Sequence, residues 1–223
     1  MEYYNNLVKK TEYGGEIKPS RWRPNSKIGV NVVGGNNMDL KQILKIFKEI
    51  SHLTGLTFVK THVDADINIH ITNPTYYRDN INSDIDNHMS SLGFFSYSVS
   101  PGGYIKKGDI FILDSIKGIV RSDVIREECT QIMGIPNDNL VKGSIFYKHK
   151  YRHKKFYRNK YTEIDKWVIM YHYRENGLYP KPPMYINWYG SVGCFIIFVY
   201  TVFLIFVCRI GKRSPHTHNN LKR

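Results

Sequence analysis

An apolar run near the C-terminus constrains the fold most, because residues that cross a bilayer cannot belong to a water-soluble core. From Trp188 to Cys208 the sequence carries no charged residue over about 21 positions. At about 1.5 Å per residue, a helix of this length crosses the roughly 30 Å hydrocarbon core of a membrane. An aromatic pair begins the run and basic residues follow it, as at membrane interfaces. We therefore predict one transmembrane helix over 188–208 and a basic tail over 209–223.

The sequence predicts the orientation of this span less strongly than it predicts the span itself. The N-terminus has no apolar run of the kind that directs secretion, so we expect a tail-anchored membrane protein. Basic residues lie on both sides of the span, and the charge bias that sets orientation is therefore weak. The cytosolic side is favoured for the soluble part.

The length and composition of the chain predict that its soluble part is one ordinary domain. The chain has 223 residues, of which 42% are hydrophobic, and a formal net charge of +13. Such a charge indicates anionic partners, either lipid headgroups or nucleic acid. The three cysteines, Cys129, Cys194 and Cys208, form no paired framework, and two of them lie in the apolar run. This excludes a disulfide scaffold and a cysteine zinc site.

Alternating and helical patterns predict an α+β domain with one mixed sheet and two main helices. Residues 1–20 are polar and lack apolar periodicity, so we predict a flexible arm. Asp39 is predicted to cap the first helix, which Gly55 ends, and the second helix is predicted to begin near Ser122. Strands are predicted at Lys27–Val33, Thr57–His62, Ala65–Ile71, Phe94–Val99 and Asp109–Leu113.

Residues 126–146, REECTQIMGIPNDNLVKGSIF, have the layout of a zinc-peptidase active-site helix whose metal ligands are replaced. In the pattern HExxHxxGxxH, three histidines hold zinc and the glutamate polarises its water. Here the ligand positions carry Glu127, Gln131 and Asn137, whereas Glu128 and Gly134 keep the glutamate and the glycine. Amides are weak ligands and oxygen donors suit harder cations. The expectation is an empty site or a weakly held divalent metal.

Two interpretations of this helix remain open. On a helical wheel, Glu127, Glu128 and Gln131 lie opposite a packed side that contains Cys129. The polar side is then either a solvated helix surface followed by a capped turn, or the wall of a site. Cys129 is predicted to act as a small apolar core residue rather than as a nucleophile.

The turn after this helix is also predictable. Gly134 suits the left-handed conformation that ends a helix, and Pro136 cannot continue one. Asn137 and Asp138 are then expected to return toward Gln131.

From about Arg21 to Pro183 the chain resembles a largely bacterial family of domains of unknown function, number twenty-nine twenty-seven. The pattern of this family includes EExxQxxGxxND, then SIF, then Thr-x-x-Asp. These motifs correspond here to Glu127–Asp138, Ser144–Phe146 and Thr162–Asp165. Several motifs in the right order make the resemblance fairly specific.

The family in turn resembles diverged zincin peptidases of the matrixin kind. The resemblance implies a zincin-like domain over 21–183, with Ala65–Ile71 as the edge strand of its sheet. It also implies that Ser144, Ile145 and Phe146 form the turn beneath the metal position, and that Gly134 and Asp138 are structural. Members of the family are often described as exported or lipoprotein-like. The chain is expected to depart from them by lacking a visible export signal, by adding the span and by inserting a basic run.

That basic run, over 147–160, contains no acidic residue and interleaves basic with aromatic side chains. Such a segment neutralises phosphates while its rings stack on bases or enter a headgroup layer. Near a bilayer, anionic lipid is favoured over nucleic acid, and a solvated loop without a partner is the alternative. A metal site at His149 and His153 is disfavoured by the surrounding cations. The basic residues are Lys148, Lys150, Arg152, Lys154, Lys155, Arg158 and Lys160.

The sequence therefore predicts a membrane-anchored, zincin-like domain with a degenerate metal site that binds a protein or peptide without catalysis. The alternative is a metal-dependent peptidase in which Glu128 is the general base and Glu127, Gln131 and Asn137 hold an unconventional metal.

Overall fold

The computed structural model describes residues 2–9, 16–73, 75–76, 92–138, 141, 143–147 and 160–174. All of them lie within the unit Met1–Lys181. In chain order they form α1 (Glu2–Val8), β1 (Lys27–Gly34), α2 (Asn37–Thr54), β2 (Thr57–Lys60), β3 (Ile67–Thr72), β4 (Gly93–Val99), β5 (Ile105–Leu113), α3 (Gly118–Gln131) and α4 (Glu163–Tyr173).

The predicted membrane segment lies outside the described residues, as do the tail over 209–223 and the basic run apart from Tyr147 and Lys160. Among the residues that the structure describes, no helix has both the length and the apolar character needed to cross a bilayer. The span over 188–208 therefore stays a prediction from the sequence.

The five strands form one mixed sheet in the order β2-β1-β3-β5-β4. Strands β2, β1, β3 and β5 run parallel, and β4 pairs antiparallel with β5. The predicted α+β class and mixed sheet are confirmed.

The prediction of Ala65–Ile71 as the edge strand was wrong. Most of that segment forms β3, which lies between β1 and β5, and the edges are β2 and β4. The strict alternation of β3 has another cause: Ile67, Ile69 and Ile71 are buried while the residues between them are half-buried. Alternation of apolar and polar residues indicates that the two faces of a sheet differ in burial. A central strand can show this alternation as clearly as an edge strand.

The helix α2 begins and ends at side-chain and glycine caps. The side chain of Asn36 accepts hydrogen bonds from the backbone of Met38 and Asp39, and the Asp39 carboxylate accepts one from the Asn36 backbone at 2.8 Å. Asp39 is thus the third helical residue of a capping box rather than the cap itself. Gly55 ends the helix with a φ of 75°, as predicted.

Two ion pairs join α2 to α3. Arg121 Nη2 lies 2.8 Å from Asp39 Oδ2, and Arg126 Nη1 lies 2.6 Å from Glu49 Oε2. Both arginines are buried, and a buried guanidinium is tolerated only with such a partner.

The N-terminal segment is not the unstructured arm that the sequence predicted, since Glu2–Val8 is helical and packed. Tyr3, Leu7 and Val8 are buried. The Tyr3 hydroxyl donates to Ser144 Oγ at 3.1 Å. Two adjacent apolar residues in a short polar segment produce no helical periodicity, which explains why the pattern failed here.

His172 on α4 fixes the position of α1. Its Nδ1 accepts a hydrogen bond from the Tyr4 hydroxyl, and its Nε2 donates to the Ser20 carbonyl, both at 2.9 Å. A carbonyl oxygen only accepts, so the proton of the neutral ring lies on Nε2. Burial lowers the pKa of His172 from 6.5 to about 4, and the nearby Arg21 acts in the same direction.

We predict that stability falls as the pH drops from 6.5 toward 4. In this window the unfolded chain binds a proton at His172 that the native chain does not, which costs about 3 kcal/mol at most. Denaturant unfolding at several pH values measures the effect. His172→Gln should remove this part of the pH dependence, whereas the exposed control His52→Gln should keep it. Equal pH profiles for His172→Gln and the parent chain would contradict the prediction.

Candidate functional site

The helix that carries the motif, α3, is buried on almost every side. Glu128 and Gln131 are each 6% exposed, and Arg126 is 2% exposed, while Glu127 is half-buried. Of the two interpretations of its polar side, the solvated helix surface was therefore wrong. The helix also begins at Gly118, one turn before the predicted start near Ser122.

The polar side of α3 is buried because β4 packs directly against it. Gly93 of β4 has no side chain, and a Cβ there would lie 2.7 Å from Val124 Cγ1 and 2.8 Å from Glu128 Oε1. Any larger residue would push the strand away from the helix. The Glu128 carboxylate thus lies beside the antiparallel strand β4.

Two of the three residues in the ligand positions bind other parts of the domain. Gln131 Nε2 donates to Asp138 Oδ1 at 3.2 Å, which confirms the predicted return of the turn. Asn137 donates to the Leu7 carbonyl with its side chain at 3.1 Å and with its backbone at 3.2 Å. In both side chains this hydrogen bond uses the amide N–H, and the group left to bind a metal is a neutral amide oxygen, which is a weak ligand for zinc.

The ligand positions carry few donor atoms that suit zinc. Within the described ranges, no group of three or more His, Cys, Asp or Glu side chains is placed to hold a metal ion. Glu127 is the one carboxylate among the three ligand positions. A single carboxylate with two amides that donate elsewhere is a poor donor set for zinc.

Gly134 makes the predicted left-handed turn, with a φ of 89°. A Cβ at this position would collide with the Ser20 carbonyl oxygen. The carbonyls at the end of α3 are also covered, because Trp22 Nε1 donates to Ile132 O at 3.1 Å and the Tyr173 hydroxyl donates to Met133 O at 2.8 Å. The glycine is therefore required by a close backbone approach as well as by the turn.

The turn Ser144–Phe146 is bound to the N-terminus of α4 through Asp165. This fully buried carboxylate accepts from Ser144 Oγ at 2.7 Å and from the Ile145 backbone at 3.2 Å. Thr162 donates to it from its backbone at 2.8 Å and its hydroxyl at 2.7 Å. Burial raises the pKa of Asp165, and these hydrogen bonds oppose the rise.

Asp165 was not among the predicted site residues, although its signal was present. Thr162-x-x-Asp165 is a capping box, and the spacing alone indicates a helix start. What the spacing does not show is that the second carboxylate oxygen binds Ser144 on the distant turn. Phe146, next to this network, is fully buried.

Cys129 is a core residue, as predicted. It is fully buried, and both burial and the neighbouring Glu128 raise the pKa of its thiol. A thiol of this kind is inert at neutral pH.

The outer edge of β4 lies next to this region. Leu113 donates from its backbone to Leu92 O at 3.1 Å, and hydrogen-bonded pairs in an antiparallel ladder occur at every second residue. The backbone groups of Phe95 and Tyr97 consequently point away from β5. Among the described residues, no strand pairs with this edge.

We predict that Asn137→Ala destabilises the protein by about 1–2 kcal/mol, because it removes a buried hydrogen bond to the Leu7 carbonyl. Proteolysis near α1 should accelerate in parallel, as the helix loses one of its attachments. Asn5→Ala, which changes the same residue type within α1 where no hydrogen bond of the side chain is seen, is the control. If Asn137→Ala had the wild-type free energy of unfolding and the wild-type rate of cleavage, the hydrogen bond between Asn137 and Leu7 would not stabilise the position of α1.

The family described as "Protein of unknown function (DUF2927)" matches residues 1–176, a range that includes α1. No curated protein matches the chain. Among solved structures, one titled "Structure of myroilysin" has a TM-score of 0.45 at 13% identity and covers 71% of this chain and 97% of its own. Another, "Crystal structure of myroilysin", has a TM-score of 0.36 at 16% identity and covers 60% and 56%. With 176 of its 223 residues matched, the chain belongs to the DUF2927 family.

Proposed function

We propose that the chain is a non-catalytic, zincin-like binding domain that holds an extended protein or peptide segment against β4. The proposal that the domain is non-catalytic rests on one observation. Two side chains in the ligand positions donate hydrogen bonds to other parts of the domain. Asn137 binds the Leu7 carbonyl and Gln131 binds Asp138. These bonds hold both amides in place within the domain, and the oxygen that each amide could offer is a neutral, weak ligand for zinc.

The alternative, a peptidase with Glu128 as general base, has less support. A general base must reach the water that it activates. Glu128 is 6% exposed, and its carboxylate packs against β4 at Gly93. Water activation there would require β4 to move away from α3.

The edge of β4 supports the binding role. Its sequence, GFFSYSV, has no charged residue and no proline. Charged residues and proline are the residue types that usually protect an exposed strand edge from pairing. The outward backbone groups of Phe95 and Tyr97 offer donors and acceptors to an added strand. Strand addition to an open edge is a common way to bind extended peptides.

A selection from a random peptide library, followed by amide hydrogen exchange, tests this proposal. A selected peptide should protect the amides of Phe95 and Tyr97. The amides of Phe94 and Ser96 already bond to β5 and should change little, so they serve as internal controls. Uniform protection along β4, or protection elsewhere only, would contradict strand addition at this edge.

The competing peptidase gives a different result in the same experiment. Library peptides would be cleaved in the presence of a divalent metal, and Glu128→Gln would abolish the cleavage. That outcome would replace the binding proposal by the catalytic one.

We further propose that residues 188–208 anchor this domain in a membrane, with the cytosolic side favoured. The support is the uncharged run of the sequence, and the basic segment over 147–160 would then lie near anionic headgroups. Alkaline extraction of membranes should leave the full chain in the pellet and release a chain that ends at Asn187. Release of the full chain as well would refute the anchor.

A further inference from the structure

A groove with a volume of about 290 Å³ lies between α2 and the other edge strand of the sheet, β2. Its floor is apolar, and the rings of Phe47 and Phe58 lie 4.7 Å apart. Leu44 on its rim is 40% exposed. The volume is just below the roughly 300–1,000 Å³ of small-molecule pockets and suits one large apolar side chain.

The groove is bordered by backbone groups that can pair with another strand. Thr57 donates to Ser26 O and Thr61 donates to Val30 O, both at 3.0 Å. Alternate residues of a parallel strand face the same neighbour, so the N–H and C=O groups of Phe58 and Lys60 point outward. In the part of the chain that the structure describes, no strand occupies this edge.

The charge of the groove has one sign. Lys48 and Lys60 line it, and no carboxylate does. Neither ammonium group forms an ion pair with a described residue. Cations without partners at the mouth of an apolar groove favour a ligand that carries carboxylates.

We propose that this groove binds an extended acidic segment of another protein by strand addition to β2. The backbone of the segment pairs with Phe58 and Lys60, and a large apolar side chain enters between Leu44 and Phe58. Carboxylates two positions before and after that residue lie on the same face of the extended segment and meet Lys48 and Lys60. This site is at the opposite edge of the sheet from β4 and does not depend on the function proposed there.

The same observations disfavour two other occupants. An acyl chain would fill the apolar floor but would leave the outward backbone groups of β2 without partners. A second copy of this chain would bring its own net charge of +13 against Lys48 and Lys60.

A suitable probe is a fluorescein-labelled peptide of alternating glutamate and valine in which phenylalanine replaces the central glutamate, so that the phenylalanine and the glutamates share one face. Its binding to the full chain is measured by fluorescence anisotropy. The proposal predicts saturable binding that weakens with salt. It also predicts loss of binding when the alternate amides that face β2 are N-methylated, since methylation removes the donors of an added strand, whereas methylation of the other alternate set should be tolerated. A version with lysine in place of glutamate should not bind.

Charge reversal on the protein supplies the matched control. Lys48→Glu/Lys60→Glu should weaken binding about tenfold or more. Lys41→Glu/Lys45→Glu makes the same change of net charge at exposed α2 positions outside the groove, and it should have a small effect. Hydrogen exchange should show protection of the Phe58 and Lys60 amides when the peptide is bound.

Several results would overturn the proposal. They are equal weakening by the two charge reversals, binding that survives N-methylation, or protection at Phe95 and Tyr97 instead of β2. Tighter binding of a fluorescent fatty acid at this groove would assign it to an acyl chain, and salt-stable self-association lost in Leu44→Asp would assign it to a second copy.

Discussion

The structure depends on one constraint: α3 is rich in polar residues and is nevertheless buried on almost every side. Each buried polar group in such a helix needs a hydrogen-bond partner, because an unsatisfied one costs about 1–3 kcal/mol. Partners come from α2 and from the segment before α4. Arg126 pairs with Glu49 of α2 and lies over the ring of Tyr161, whose hydroxyl meets Thr130 at 2.8 Å.

This constraint explains why the N-terminal and C-terminal parts of the domain meet at the end of α3. Ser20 passes so close to Gly134 that no side chain fits there, and Trp22 covers the Ile132 carbonyl. His172 then joins Ser20 to Tyr4. Asn137 adds a second attachment of α1, because its side chain donates to the Leu7 carbonyl.

Much of the fold could be predicted from the sequence because local signals agreed with the final structure. The strand Lys27–Gly34, the helix that Gly55 ends and the turn at Gly134 follow from alternation, helical periodicity and glycine conformation. The order of the strands could not be predicted, because alternation in β3 reports its two faces and not its neighbours. The predicted edge strand was wrong for that reason.

The candidate site was predicted in part. The spacing of the motif correctly placed Gln131 near Asp138, since both lie within one turn and its return. The binding of Asn137 to α1 and of Asp165 to Ser144 could not be predicted, because these contacts join segments 130 and 21 residues apart in the chain. Burial of Glu128 was missed because a helical wheel shows which residues share a face but not which strand covers that face.

We propose that residues in the ligand positions stabilise the domain through hydrogen bonds and bind no zinc. The decisive measurement is elemental analysis of the purified full chain after incubation with zinc and exhaustive dialysis. Zinc should stay far below one equivalent in the parent chain and should be unchanged in Gln131→Ala. One tightly held equivalent of zinc in the parent chain, lost in Gln131→Ala, would overturn this proposal.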